Sequence, residues 1–239
     1  MSFAKFFDSN KTHVIELYSY SDESIEEMMH EIISGTDAGS ILTDIYGQEL
    51  RFVYVPQAPK FRQLLAEAKA RGYTQSIVNL YEPNNISYLA FRLQHGDSIL
   101  INAQSDIQNN LIAGYEAEEL ANILNEDLGL NKFLLKNLDV DSCMMGRIKS
   151  YRDELKRYLT TFQTITTYTD LCSVSKKNNN PSRIWIAEKK DWDIFYSENE
   201  LNEKGTRIIE YTDAYMNQLK ASSLNFEESE LKKHDTLTA

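Results

Sequence analysis

Two stretches decide the fold: Ile86-Ser-Tyr-Leu-Ala-Phe-Arg-Leu-Gln94 running into His95-Gly96, and Phe133-Leu-Leu-Lys-Asn-Leu-Asp-Val140 running into Asp141-Ser-Cys143-Met-Met-Gly146. Each is an apolar run closed by polar and small residues, the pattern of a strand with a loop behind it. Between them, Glu116 to Leu128 carries Ala117, Leu120, Ala121, Leu124 and Leu128 at helical spacing, with Gly129 as its stop. Strand, helix, strand is a right-handed crossover joining two parallel strands. In an open α/β sheet the ligand crevice lies outside the carboxyl ends of such strands. On this reading His95 and Cys143 share one crevice.

Working outward, Thr12 to Tyr20 reads as a strand. Ser24-Ile-Glu-Glu27 then opens a helix with Ile25, Met28, Met29, Ile32 and Ile33 on one face. Ser40 to Val55 reads as a hairpin turning at Tyr46-Gly47, and Pro59 opens a helix ended by Gly72. A strand is expected at Gln75 to Leu80. Asp97 to Asn110 reads as a polar loop in which Ile99-Leu-Ile101 can pair briefly. A helix follows at Ile148 to Leu159, a strand at Ile165 to Val174, and a short hairpin over Arg183 to Ala187 and Trp192 to Tyr196. Thr206 to about Lys233 has helical spacing and high charge.

The 239 residues suit one large α/β domain with an extension. A formal charge of -11 opposes binding to nucleic acid or anionic lipid as a whole. No apolar run approaches the roughly 20 residues that span a bilayer, and no secretory signal is read at the start. Two cysteines, Cys143 and Cys172, give no disulfide framework and suit a reducing compartment. Asp97, Asp106, Asp139 and Asp141 flank the expected site, but their spacing matches neither a calcium loop nor a His-rich zinc pattern.

A thiol becomes a nucleophile toward a carbonyl when an imidazole takes its proton, and that imidazole later protonates the leaving amine. His95 and Cys143 are the candidates. Cys172, inside an expected strand, is assigned to the core.

At these residues the chain resembles the caspase-like cysteine peptidases, which pair a His-Gly after one strand with a Cys after the next. In detail it is similar to the self-processing cysteine protease domains of large bacterial toxins, of the clostridial glucosylating and RTX kinds. Three segments carry the likeness: the strand into His95-Gly96-Asp97, the segment Leu111-Ile-Ala-Gly-Tyr-Glu-Ala-Glu-Glu-Leu120, and the strand into Cys143. Asp141-Ser142 departs from the Gly that those toxin domains carry before the Cys, and is closer to the Asp-x-Cys-x-x-Gly of clostripain-type members.

The resemblance implies a three-layer α/β sandwich with a mostly parallel central sheet flanked by helices, and a C-terminal β-hairpin and helix. Residues 1–200 are then the protease domain and 201–239 a helical extension. It implies peptide hydrolysis through a thioester, with Cys143 as nucleophile, His95 as general base and acid, and Asp22 orienting the imidazole. Backbone amides of Gly96 and Cys143 would form the oxyanion hole. The toxin domains are activated by inositol hexakisphosphate on a basic surface, for which Lys176, Lys177, Arg183, Lys189 and Lys190 are the candidates here. No other cofactor and no metal is implied. The partner would be a protein or peptide substrate, met in a bacterial cytoplasm or in a host cytosol reached without a signal peptide, as for a bacterial effector. Two alternatives stay open: a thiol-dependent deamidase or transpeptidase, and a non-catalytic caspase-like interaction domain.

Overall fold

Ile99-Leu-Ile101 lies at the heart of the fold, in the middle of strand β4 (Ser98–Ala103), and its three side chains are completely buried. A parallel strand covered on both faces reads as a short unbroken apolar run, which is why it resembled an apolar patch in a loop. In the computed structural model, the described residues are 11–18, 26, 29–30, 38–56, 58–177, 180–186, 195–196 and 206–222.

The chain runs β1 (Thr12–Leu17), α1 (Ala38–Ile45), β2 (Arg51–Tyr54), α2 (Ala58–Ala70), β3 (Ile77–Asn79), α3 (Ile86–Ala90) and then β4. After it come β5 (Ser105–Asp106), β6 (Leu111–Ile112), α4 (Ala117–Asn122), β7 (Leu135–Asp141), α5 (Lys149–Tyr158), β8 (Phe162–Tyr168), β9 (Leu171–Lys177), β10 (Asn180–Ile186), β11 (Phe195–Tyr196) and β12 (Arg207–Tyr211). The central sheet has seven strands in the order β12-β8-β7-β4-β1-β2-β3. All neighbours are parallel except β12, which runs antiparallel to β8. The protein is therefore an α/β domain with a mostly parallel sheet between flanking layers.

On one face, Ile15, Phe52, Ile101, Leu138 and Val140 pack against Leu120, Ala121 and Leu124 after the β4–β7 crossover and against Tyr151 and Leu155 of α5. The other face is divided. Val53 and Val55 meet Phe61 and Ala68 of α2, while Val14 and Leu100 meet Leu42 of α1 and Val174 of β9. Truncating a side chain such as Leu100 to Ala would cost about 2–5 kcal/mol, because the surrounding layers cannot collapse into the space.

Several expected elements differ. Ile86 to Gln94 is not a strand: Pro83 opens a 3-10 turn (Pro83–Asn85) that continues into α3, where Leu89 is buried and Tyr88 faces solvent. The expected hairpin over Ser40 to Val55 is α1 followed by β2, with left-handed Gly47 (φ 61) closing the turn after the helix. The expected strand Ile165 to Val174 breaks at Thr169-Asp170, where the chain leaves the central sheet and β9 pairs with β10 instead. The helix from Glu116 is α4 followed by a π-helical stretch, Ile123–Asp127. Beyond residue 200 the chain is not simply helical, since β12 completes the central sheet before residues 213–222 turn helical. A boundary at residue 200 therefore cuts through one continuous sheet.

Candidate functional site

The carboxyl ends of β4 and β7 lie side by side, because Asn102 pairs with Asp141 in register. Carrying that register two residues further brings Gln104 toward Cys143. Ser105 confirms the proximity, with its hydroxyl donating to the Cys143 carbonyl at 2.6 Å. The Ala113 amide donates to the Gln104 carbonyl at 2.8 Å, so the turn into α4 folds back over this strand end. Ala113 (φ 51) and Gly114 (φ 80) take left-handed backbone to do so, which accounts for small residues there. Gln104, whose side chain is exposed, is therefore the residue that follows β4 at the level of Cys143, where a base was expected.

Cys143 is half-buried and its thiol is engaged by backbone. Sγ donates to the Cys172 carbonyl at 3.5 Å and accepts from the Cys172 amide at 3.4 Å. Burial pushes the thiol up from its ordinary range; the hydrogen bond from the Cys172 amide pulls it down by less, and the Asp141 carboxylate adds a smaller upward push. The thiol stays protonated at neutral pH. That is the opposite of what activates a cysteine.

The loop holding Cys143 is set by its neighbours. Met144 adopts left-handed backbone (φ 57) and donates its amide to the Asp170 carbonyl at 3.1 Å. Gly146 lies so close to the β8–β9 turn that a Cβ there would come within 2.6 Å of the Tyr168 carbonyl carbon. The Cys-x-x-Gly spacing therefore has a packing cause. Asp170, in the β8–β9 turn, is buried and paired with Arg147 at 3.6 Å.

Beneath this loop is a buried charge cluster. Arg183 of β10 donates to Asp139 at 2.8 and 3.1 Å and to Asp141 at 3.1 Å. Its guanidinium also lies over the rings of Trp185 and Tyr168, 5.0 and 5.4 Å from their centroids. Burial pushes the Asp141 carboxyl up, and Arg183 acts against it. The arrangement ties β10 to β7.

His95 does not reach this site. It precedes β4 instead of following a strand, and its Nδ1 accepts from the Leu134 amide at 3.0 Å, just before β7 begins. Leu135 to Asp141 then separates it from Cys143 by a strand of about 20 Å. The Gly96 amide is committed to the Leu134 carbonyl at 2.8 Å, so it supplies no oxyanion donor to Cys143. The histidine of the expected dyad and half of the expected oxyanion hole thus fall at the opposite end of the sheet from Cys143. A buried imidazole–carboxylate pair, His13 with Asp97 at 3.0 Å, sits at that same amino-terminal end.

Asp22, Lys189 and Lys190 lie outside the described residues. Lys176 and Lys177 fall on β9, paired across from Pro181 and Asn180. Arg183 is turned inward, so it cannot contribute to a basic surface for inositol hexakisphosphate. Gln104, Ser105 and the Arg183 cluster were missed from the sequence. The signal available for the first two was the Ile99-Leu-Ile101 run, whose end they follow.

Among the described residues, no group of three or more His, Cys, Asp or Glu side chains is arranged to hold a metal ion, and no helix is long and apolar enough to cross a membrane. No family model, curated protein or solved structure matches the chain.

Proposed function

We propose that this chain is a non-catalytic, caspase-like interaction domain, which engages a polypeptide partner without hydrolysing it. The observation that carries this reading is the environment of Cys143. Its thiol is raised by burial and held between backbone groups of Cys172, while the neighbouring strand end brings Gln104 and Ser105 instead of an imidazole. A side-chain amide does not titrate in water and cannot take a thiol proton as imidazole does.

The caspase-like part of the reading is supported by the mostly parallel sheet between two covering layers, by the cysteine at the carboxyl end of a central strand, and by the Ala113-Gly114-Tyr115 turn opening the crossover helix. The test is incubation with peptide libraries, read by mass spectrometry, for the parent protein and Cys143→Ala with and without inositol hexakisphosphate. Identical product profiles are expected. Cleavage by the parent that Cys143→Ala loses would establish a peptidase and overturn the proposal.

A further inference from the structure

The two cysteines of the chain, 29 positions apart, are brought into contact by the fold. Cys143 follows β7 and Cys172 is the second residue of β9, so the pair links the central sheet to the outlying β9–β10 hairpin. Both are free and partly accessible. Sγ of Cys143 sits 3.4 Å from the amide nitrogen of Cys172 and 3.5 Å from its carbonyl oxygen. Those two atoms flank the Cys172 Cα, which keeps the two Cα atoms close to the roughly 4.4–6.8 Å window that disulfides span. Rotation of one or both side chains then brings sulfur to sulfur.

We propose that Cys143 and Cys172 form an oxidisable thiol pair that closes to an intramolecular disulfide and fastens β9 to the loop after β7. In the first step the Cys143 sulfur attacks a peroxide oxygen, the O–O bond breaks, and hydrogen peroxide leaves one oxygen on sulfur and releases one water. In the second, the Cys172 sulfur attacks the Cys143 sulfenic acid, the S–O bond breaks and a second water leaves. Two thiols are oxidised by two electrons, one peroxide is reduced, and the thiol protons end in the two waters. Cys143 acts first because its thiol is raised less than that of Cys172, which is more strongly desolvated.

The bond would tether the element whose Val174 covers Val14 and Leu100 and whose partner strand carries Arg183. It would thus hold the hairpin on the sheet even when the Arg183 cluster is disturbed. The proposal goes beyond the non-catalytic reading and does not depend on it, since a thiol pair can close whether or not Cys143 cleaves peptides.

The experiment treats the full chain with excess hydrogen peroxide and follows intact mass and non-reducing peptide maps. A monomer lighter by two hydrogens, with a peptide joined through Cys143 and Cys172 that separates on reduction, is expected. Cys172→Ser should instead gain oxygen at Cys143 and form no internal link. If the parent yields only oxygen adducts or intermolecular dimers under conditions where both thiols react, the proposal fails.

Discussion

The Ser105 hydroxyl donates to the Cys143 carbonyl at 2.6 Å, which joins the segment leaving β4 to the loop leaving β7. The loop that carries Cys143 is therefore held by the segment that follows β4. The imidazole of His95 lies at the other end of the same two strands, bonded to the Leu134 amide.

Replacing His95 by Ala should leave the alkylation rate of Cys143 within about twofold of the parent at pH 7, since an imidazole roughly 20 Å away, beyond the screening length, exerts almost no field on the thiol. Site-resolved labelling with iodoacetamide measures this directly. A tenfold or greater loss would mean that His95 activates Cys143.

Replacing Gln104 by His tests the register from the other side. An imidazole at that strand end should raise the pH 7 alkylation rate of Cys143 by about tenfold or more, through partial stabilisation of the thiolate. An unchanged rate would show that the side chain at position 104 does not face the thiol.

Arg183→Ala removes the cation from between Asp139 and Asp141 and leaves two carboxylates buried without their partner. The expected loss is about 3–5 kcal/mol in urea unfolding, and Arg183→Met combined with Asp139→Asn and Asp141→Asn should recover much of it. A loss below about 1 kcal/mol would place Arg183 at the surface after all.

Gly146→Ala pushes a methyl group into backbone of the β8–β9 turn, where no flexible side chain can give way. Destabilisation of about 1–3 kcal/mol is expected by the same measurement. A neutral outcome would contradict the close approach that explains the Cys-x-x-Gly spacing.

The layer architecture was legible because Glu116 to Leu128, Ile148 to Leu159 and Phe133 to Val140 each keep one period long enough to separate helix from strand. What misled was length. Ile99-Leu-Ile101 is short and apolar on every residue, whereas Ile86 to Gln94 is longer and richer in aromatic residues, so periodicity alone favoured the wrong segment as the central strand. Pro83 was the available correction, since it presets a helical first turn. Choosing one segment over the other moves His95 from the carboxyl end of a strand to the amino end of the next. Cys143 thereby acquired a partner that lies at the other end of the same two strands. The Arg183 cluster was unreadable for a different reason: charge on a hairpin is ordinarily solvated, and only the folding of β10 over β7 turns this arginine inward.

The pH profile of Cys143 alkylation tests the central claim most directly. Burial raises its folded-state pKa above the ordinary value of 9.0, so the thiolate, and with it the rate, should keep rising through pH 9 without levelling off. At pH 7 the reactive fraction should be on the order of one part in a hundred or less. A profile with no plateau below pH 9, unmoved by His95→Ala, is expected for a thiol without a catalytic base. A midpoint below pH 7 in the parent, lost in a variant of any one histidine, would contradict it and restore the peptidase.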